Sequence, residues 1–474
     1  MEQNKAAKLP EISFGKAVIA IVVLIAILFL GFAILDVDTK VVFTVASVAI
    51  GIILVCFGFK MTQVFQWFID GAKGAMDVIL ILMAVGTVIG TWIISGTIPT
   101  IIYYGLSFLT PSTFMISGFA LCCIVSFFIG SSYSTLATMG VALMGIGMGM
   151  GVNPAITAGV VLSGSLFGDK MSPFSDTTNM APAVSGTTVY RHINSMLYTT
   201  VPAMVLTVII YLIIGGRLGA QGADLEQVEL IKNGLQANFH ITPVLFIIPV
   251  LTVAMMLFKL PPVIALLGSA FIAVIFGLIF QGEHSTPIEI LSAIGNGYSG
   301  DSGVADIDRL MNRGGIGGMM ETVAWTILTL GMGQMLKESG IISAFLDRLL
   351  VNVKKPRGAV LSTLLFSLIT SMLTASQYLA IMLPGMMLKD KYEEVGLEKR
   401  VLSRTLEDGG TMFSFLVPWD TAGIYTSSVL GVATLAYAPF ACLLYLCPII
   451  AAVYACTGFA LFKEKKEAAA ETAA

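Results

Sequence analysis

Residues 168–179, GDKMSPFSDTTN, form a polar stretch between apolar runs of a very apolar chain. This dozen contains two acids, one lysine and five side chains with a hydroxyl or amide group. The apolar run AITAGVVLSGSLF (155–167) precedes it, and another membrane-length run begins at Met196. If Pro154 starts a helix, Asp169 lies about 22 Å along it, well inside a bilayer. The stretch therefore predicts a helix that breaks within the membrane, with Gly164, Gly168 and Pro173 favouring the break and Ser175 or Asp176 capping the next half-helix.

The composition predicts an all-α polytopic membrane protein. The 474 residues are 56% hydrophobic and 12% charged, with a mean hydropathy of +0.90, which excludes an ordinary soluble domain. The net charge of -3, without a basic tract, gives no reason to expect nucleic acid, so membrane lipids are the expected surroundings. The first apolar run, about 17–35, is too long for a signal-peptide core and lacks a cleavage pattern, so we expect it to remain as a membrane helix.

Further apolar runs and paired polar interruptions indicate an internal repeat. Full crossings are predicted near 17–35, 40–58, 76–95, 196–214, 242–258, 261–280, 319–337 and 436–461. The polar interruptions are GSSYST (130–135) and GDKMSPFSDTTN in the first half, and TASQY (374–378), LEDGG (406–410) and VPWDT (417–421) in the second. An offset of 244 residues aligns Ser132 with Ser376 and Asp176 with Asp420. A single register over both halves favours a repeat.

The predicted fold has two inverted-topology repeats of about five transmembrane helices each, with re-entrant hairpins and broken helices. The boundaries are a cytoplasmic N-terminal tail (1–15), a first membrane repeat (16–215), an external linker (216–241), a second membrane repeat (242–462) and a cytoplasmic C-terminal tail (463–474). With both termini in the cytoplasm, 20 of the 26 basic residues fall on the cytoplasmic side, five fall outside, and Lys170 lies between. The positive-inside rule supports this orientation.

The four interrupted segments are predicted to converge on a transport site near the membrane midplane. Discontinuous helices of two inverted repeats offer helix termini, carbonyls and side-chain oxygens to ions and substrates in this way. The predicted ion or substrate ligands are Ser131, Ser132, Thr135, Asp169, Ser172, Asp176, Thr177, Asn179, Ser376, Gln377, Glu407, Asp408, Asp420 and Thr421.

The buried acids of this set predict cation and proton exchange. An unpaired carboxylate is costly to bury, so each must be protonated, paired or bound to a cation. A carboxylate that binds either a proton or Na+ is the minimal device for exchanging them. Asp169, Glu407 and Asp408 are the predicted proton carriers, and Na+ is predicted at Asp169, Asp176 and Asp420. No cofactor is expected, and an enzyme is not favoured because we expect none of the three histidines at depth.

Structural roles remain open for several of these acids. Asp169 and Lys170 can form an ion pair that holds the break together. Asp176 and Asp420 can serve only as helix caps, and Glu407 with Asp408 can face a cytoplasmic vestibule. Two further acids, Asp77 and Glu321, lie where helices are predicted to start, and an acid there suits the helix dipole.

The segment GSLFGDKMSPFSDTTNMAPAVSGTTVYRHINSMLYTTVPA (164–203) resembles the corresponding segment of NhaC-type sodium/proton antiporters. The resemblance extends over essentially the whole chain. It implies Na+/H+ antiport in a bacterial plasma membrane and a fold like that of the ion-transporter superfamily. It also implies an alternative, because the family includes members that exchange malate with protons for lactate with sodium.

The choice between these two activities depends on which basic side chains lie deep in the membrane. Lys170 is the only deep cation that we expect, with no deep arginine, which favours inorganic ions over small carboxylates. Half-helix N-termini can nevertheless bind carboxylates without a basic side chain. A homodimer is suggested by fold analogy alone.

Overall fold

The computed structural model describes residues 10–35, 37–221, 225–350 and 353–463. The predicted tails therefore lie outside the described residues, apart from 10–15 and Lys463. Over the described ranges the chain forms helices and connecting segments without a β-strand, which confirms the all-α prediction.

The helices of the first half alternate between long spans and short segments. They are α1 (Phe14–Phe29), α2 (Thr39–Cys56), α3 (Met61–Gly74), α4 (Met76–Ile94), α5 (Thr97–Phe108), α6 (Pro111–Ile129), α7 (Ser132–Thr135), α8 (Val141–Gly149), α9 (Pro154–Met171), α10 (Asp176–Ser185) and α11 (Val189–Gln221). Two π-helical segments, Leu30–Ile34 and Leu136–Gly140, continue α1 and join α7 to α8.

The second half contains the remaining helices. They are α12 (Leu225–Asn238), α13 (Ile247–Leu257), α14 (Pro262–Phe280), α15 (Pro287–Asn296), α16 (Ala305–Met311), α17 (Gly315–Glu338), α18 (Ile341–Leu350), α19 (Pro356–Thr374), α20 (Gln377–Glu394), α21 (Lys399–Leu406), α22 (Met412–Ser414), α23 (Thr421–Leu430), α24 (Thr434–Tyr437) and α25 (Cys442–Thr457). A π-helical segment, Glu407–Thr411, joins α21 to α22, and Pro243–Phe246 and Ala438–Phe440 are 3-10 turns.

Seven helices in the described ranges are long and apolar enough to cross a membrane, and two bent helix pairs raise the number to nine if each is one span. The seven are Phe14–Phe32, Thr39–Cys56, Met76–Ile94, Pro111–Ile129, Val189–Gly219, Pro262–Phe280 and Pro356–Thr374. Large apolar side chains are exposed on these helices; Phe271, for example, is 67% exposed, as expected for a lipid-facing surface. These features show a multi-pass membrane protein.

The polar-tipped pairs fold as helical hairpins whose first arms, α6 and α19, have 19 residues each. These arms are full-length helices, because a polar tip shortens the apolar run but not the helix. The predicted external linker is largely helical. Most of it belongs to α12, whose Ile231 and Leu235 are buried.

Helix caps indicate a second register between the two halves. Both α6 and α19 begin with proline, at 111 and 356, and the hairpin tips are capped by Ser131 and Ser376. Both α10 and α23 have ten residues and follow the caps Ser175 and Asp420. These pairs are 245 residues apart, so an alignment on the caps pairs Asp420 with Ser175. The offset of 244 instead aligns identical residues, Asp420 with Asp176.

Glycines let α9 approach α6 closely, and they do not lie at the break. A Cβ atom on Gly168 would lie 2.4 Å from the carbonyl oxygen of Cys123 and 2.5 Å from the backbone nitrogen of Phe127. A Cβ on Gly164 would lie 2.5 Å from the carbonyl oxygen of Phe119. The sequence-based role of these two glycines at the break was therefore wrong; they are close-packing positions, as small residues commonly are between membrane helices.

Replacing Gly168 by alanine is expected to destabilise the protein by about 1–3 kcal/mol, because backbone atoms cannot rotate away from the new methyl group. Thermal unfolding of the purified protein in detergent measures the effect. Gly216→Ala is the matched control, since a Cβ there meets nothing within 4 Å. Equal unfolding temperatures for the two variants would contradict close packing at Gly168.

Candidate functional site

The first break lies between α9 and α10, in Ser172–Ser175. Ser175 caps α10 by accepting a hydrogen bond from the backbone N–H of Thr178. The Thr178 hydroxyl donates to the carbonyl oxygens of Asp169 and Lys170, at 3.3 and 3.0 Å, which satisfies the end of α9. The break predicted from the sequence is therefore present, with its open carbonyls bound internally.

Asp169 and Lys170 point to different partners across this break. Ser132, on the first hairpin, donates to the Asp169 carboxylate at 2.7 Å. Lys170, which is fully buried, forms an ion pair with Asp408. The alternative of an Asp169–Lys170 pair is therefore wrong: adjacent residues on a helix face different directions, and Lys170 reaches the second half of the chain instead.

Asp408 and Glu407 lie in the π-helical segment that follows α21, and both are fully buried. Thr199 of α11 also donates to Asp408, at 3.1 Å. Thr177 and Thr411 each donate to Glu407, at 2.9 Å. The alternative in which these two acids face an open vestibule is therefore wrong. Single π-helical turns inside helices are often functional, and this one directs two consecutive acids into the protein.

Asp420 begins the half-helix α23 at the second break. Its carboxylate accepts hydrogen bonds from the Ser371 hydroxyl at 2.6 Å and from the Ala422 backbone at 3.1 Å. Thr421 donates a longer bond of 3.4 Å. Asp420 is thus a helix cap and a fully buried carboxylate at once, and the cap role does not exclude ion binding.

The two breaks carry equivalent groups in reversed positions. At the offset of 245, Asp169 corresponds to Ser414, and Ser175 corresponds to Asp420. Ser175 lies near Asp169, and Ser414 lies near Asp420. Each half therefore presents one buried carboxylate and one serine across its break.

The hairpin tips meet each other at the site. The Tyr133 hydroxyl donates to the side-chain oxygen of Gln377 at 3.2 Å, and the Tyr425 hydroxyl donates to the Tyr133 carbonyl at 2.8 Å. Ser131 and Ser376 act as N-caps, accepting from the backbone of Ser134 and Leu379. Residues of both tips thus come together, as the sequence predicted.

The remaining predicted ligands serve the local backbone in this structure. Thr135 donates to the Ser131 carbonyl, Ser172 accepts from the Phe174 backbone, and the Asn179 amide donates to the carbonyls of Pro173 and Ser175. Asp176 is exposed, unlike the other acids of the set. In the described part of the chain, no group of three His, Cys, Asp or Glu side chains could hold a metal ion. Asp169, Asp176 and Asp420 therefore do not form such a group in this structure.

Two buried basic side chains were missed by the sequence reasoning. Arg404 is fully buried and donates to the Ala460 carbonyl at 3.2 Å, so the expectation of no deep arginine was wrong. His192 is also fully buried, with Nδ1 2.7 Å from the Ser403 hydroxyl, so a histidine does lie inside the protein. From hydropathy, His192 and Arg404 lie near helix ends, where long side chains usually reach water. The polar residues at 192, 195 and 199 share one helix face, and this pattern could have indicated a buried polar face.

A cavity of about 470 Å³ opens beside the hairpin tips. Its lining includes Asp70, Asp77, Tyr133, Ser376 and Thr421. The acids lie near the start of α4, and the hydroxyl-bearing residues lie next to the second break. The cavity thus joins the end of the helix bundle at which α4 begins to the neighbourhood of Asp420.

Comparison with known proteins identifies the family. The model of the Na+/H+ antiporter family matches residues 4–178 and 164–459. The chain is 37% identical over 397 residues to the Na(+)/H(+) antiporter NhaC of Alkalihalophilus pseudofirmus, covering 84% of this chain and 85% of that protein. It is 35% identical over 404 residues to the malate-2H(+)/Na(+)-lactate antiporter of Bacillus subtilis, covering 85% of each chain. It is 31% identical over 450 residues to the Na(+)/H(+) antiporter NhaC of Bacillus subtilis, covering 95% of this chain and 98% of that protein. This chain belongs to the Na+/H+ antiporter family.

Proposed function

We propose that this chain exchanges Na+ for H+ across a membrane by alternating access, with the ions bound at the two broken helices. Its curated relatives are antiporters, so the chain is a transporter and not an enzyme. The buried carboxylates Asp169, Glu407, Asp408 and Asp420 carry the exchange. No cofactor takes part; Na+ and H+ are the cargo.

One observation carries this proposal: the buried charges of the described residues do not balance. The buried acids are Asp169, Glu407, Asp408 and Asp420, and the buried bases are Lys170 and Arg404. Uncompensated buried charge is costly, so the excess of two carboxylates must be neutralised by bound protons or cations. A site that requires added positive charge can exchange Na+ for H+, and it repels an anionic substrate unless protons accompany it.

The repeat architecture supports alternating access. The first hairpin consists of α6 to α8, and Met148, at its end away from the tip, lies near Arg309 and Arg313. The second hairpin consists of α19 and α20, and its ends away from the tip are at Lys355 and Glu394. The tips of both hairpins meet at Tyr133 and Gln377. Hairpins that enter from opposite ends fit two inverted repeats, 16–215 and 242–462, around a central site.

The proposal places the chain in a bacterial plasma membrane with both termini cytoplasmic. In that orientation the basic residues Lys73, Lys337 and Lys355 face the cytoplasm, in keeping with the positive-inside rule. The cavity at Asp70 and Asp77 then opens to the cytoplasm. The predicted external linker 216–241 lies on the opposite side of the membrane.

The geometry supports Asp169 and Asp420, one from each half, as the principal Na+ ligands. Ser132, Ser371 and Ser414 add hydroxyl oxygens near them. Asp176, predicted as a third Na+ ligand, is exposed, which suits an entry position better than a buried one. Glu407 and Asp408 serve as proton carriers beside Lys170.

The test uses purified protein in proteoliposomes with a trapped pH dye. Adding Na+ outside, with no organic acid present, is expected to move protons out of acid-loaded vesicles, and K+ at equal concentration is the control for ionic strength. Proton movement that requires malate or lactate in addition to Na+ would overturn the proposal. That outcome would favour a Na+- and H+-coupled exchange of small organic acids.

Organic-acid exchange is the second candidate because one curated relative is a malate-2H(+)/Na(+)-lactate antiporter. Buried Lys170 and Arg404 would then bind the carboxylate groups. The charge excess argues against this candidate, since both bases already have acidic neighbours in Asp408 and Glu407. Membrane lipids are the expected surroundings, and a homodimer remains an expectation from fold analogy.

A further inference from the structure

A band of buried polar side chains joins the start of α11 to α21 and the π-helical segment after it. Its members recur at helical spacing on two facing helices, so they form a continuous polar seam inside the protein. They are His192, Ser195, Thr199 and Thr200 on one side and Ser403, Arg404, Glu407 and Asp408 on the other, all 0% exposed.

Many polar atoms of this band have no partner in the described part of the protein. They are His192 Nε2, Ser195 Oγ, Thr200 Oγ1, Arg404 Nε and Nη2, Glu407 Oε2 and Asp408 Oδ2. Buried polar atoms are nearly always hydrogen-bonded, and ordered water supplies the partner where protein does not. Because these unpartnered atoms lie in one seam, we expect water molecules to bridge them and to form, with the side chains, a chain that can conduct protons.

His192 lies where such a chain would begin. Its neighbour Tyr190 is 77% exposed, Arg191 is exposed, and His192 is the first fully buried residue of α11. Its Nδ1 atom is 2.7 Å from Ser403 Oγ. Ser403 lies one helical turn before Glu407, so the pair stands between the surface and the buried acids.

The surroundings of His192 suit a relay rather than a cation site. Lys170 lies near the imidazole, and Arg404 follows Ser403 on the facing helix. These two cations disfavour Na+ at this position. The cavity beside the hairpin tips, moreover, is lined by neither His192 nor Ser403.

We propose that His192 and Ser403 form the entrance of a proton path to Glu407 and Asp408, separate from the cavity through which Na+ enters. A proton from solution binds Nε2, the Nδ1 proton passes to Ser403 Oγ, and the hydroxyl proton of Ser403 moves on to the seam towards Glu407. Transfer of the Nε2 proton to Nδ1 through bridging water then restores the starting tautomer. This inference rests on the proposed Na+/H+ antiport and adds the route of the proton.

The test measures two rates in proteoliposomes for His192→Gln. One is proton-coupled Na+ uptake driven by a pH gradient; the other is the exchange of radioactive Na+ for unlabelled Na+ at equal pH, which moves no net protons. Glutamine retains a hydrogen bond to Ser403 but cannot bind and release a proton near neutral pH. Coupled uptake is expected to fall about tenfold or more, and Na+/Na+ exchange to stay within about twofold of the wild-type rate.

Two further variants make the result decisive. Ser403→Ala is expected to show the same split, whereas His284→Gln, on a distant turn, is expected to change neither rate. Unchanged coupled uptake in His192→Gln overturns the relay, and so does an equal loss of both rates, which marks a structural role. Absence of Na+-driven proton movement in the wild-type protein overturns the proposed antiport and the relay with it, whereas failure of the variants alone overturns only the relay.

Discussion

Replacing Lys170 by methionine is expected to lower the free energy of unfolding by about 3–5 kcal/mol, because Asp408 is left buried without its counter-charge. Both side chains of the pair are fully buried, and Thr199 is the other side chain that donates to Asp408. The measurement is thermal unfolding of the purified protein in detergent, followed by tryptophan fluorescence. A loss of this size also lowers the amount of folded protein that accumulates, so expression is compared as well.

The double variant Lys170→Met with Asp408→Leu separates lost packing from lost charge. Replacing a buried pair by apolar residues of similar volume is often neutral, so the double variant is expected to regain most of the stability. Lys391→Met, which breaks the partly exposed pair with Glu394, is the control and is expected to cost less than about 1 kcal/mol. A double variant less stable than the single one would contradict a compensated ion pair.

Replacing Asp169 by asparagine is expected to lower Na+/H+ antiport about 100-fold or more while the protein remains folded. The asparagine side-chain oxygen can still accept the Ser132 hydrogen bond, but the group can no longer exchange a proton for Na+. Proteoliposome transport measures activity, and the unfolding temperature in detergent checks the fold.

Asp347→Asn, an exposed aspartate of α18, is the matched control for the loss of one negative charge. Asp176→Asn tests whether Asp176 is a Na+ ligand, as the sequence predicts. Because Asp176 is exposed, we expect this variant to lose less antiport activity than Asp169→Asn; an equal loss of activity would indicate that Asp176 belongs to the Na+ site. Wild-type antiport in Asp169→Asn would remove Asp169 from the exchange and leave Asp420 as the remaining candidate.

Much of the fold follows from physical rules that the sequence displays. Lipid offers no hydrogen bonds, so a polar stretch such as 168–179 had to be a broken helix whose backbone groups are satisfied internally. The Thr178 hydroxyl donates to two carbonyls at the end of α9, and Ser175 accepts from the backbone N–H of Thr178. The hairpin tips were also visible, because Ser131 and Ser376 interrupt apolar runs. Glu407 and Asp408, which the sequence predicts as site residues, are both buried.

Other features of the fold and the site depend on contacts between residues that are far apart in the sequence, and sequence patterns do not show these contacts. The partner of Lys170 is 238 positions away, and sequence adjacency suggested Asp169 instead. The register between halves required caps and helix lengths, since shared Asp-Thr letters favoured a shift of one residue. His192 and Arg404 were missed because both are close to helix ends, where hydropathy alone predicts access to water.

The central claim is that buried carboxylates hold protons that Na+ displaces. The most direct test adds Na+ to purified, weakly buffered protein in detergent and records proton release with a pH dye, using K+ as the control salt. The account predicts proton release on adding Na+ that saturates, and a much smaller release in Asp169→Asn. Na+ binding without proton release, or release only after malate or lactate is added, would contradict it.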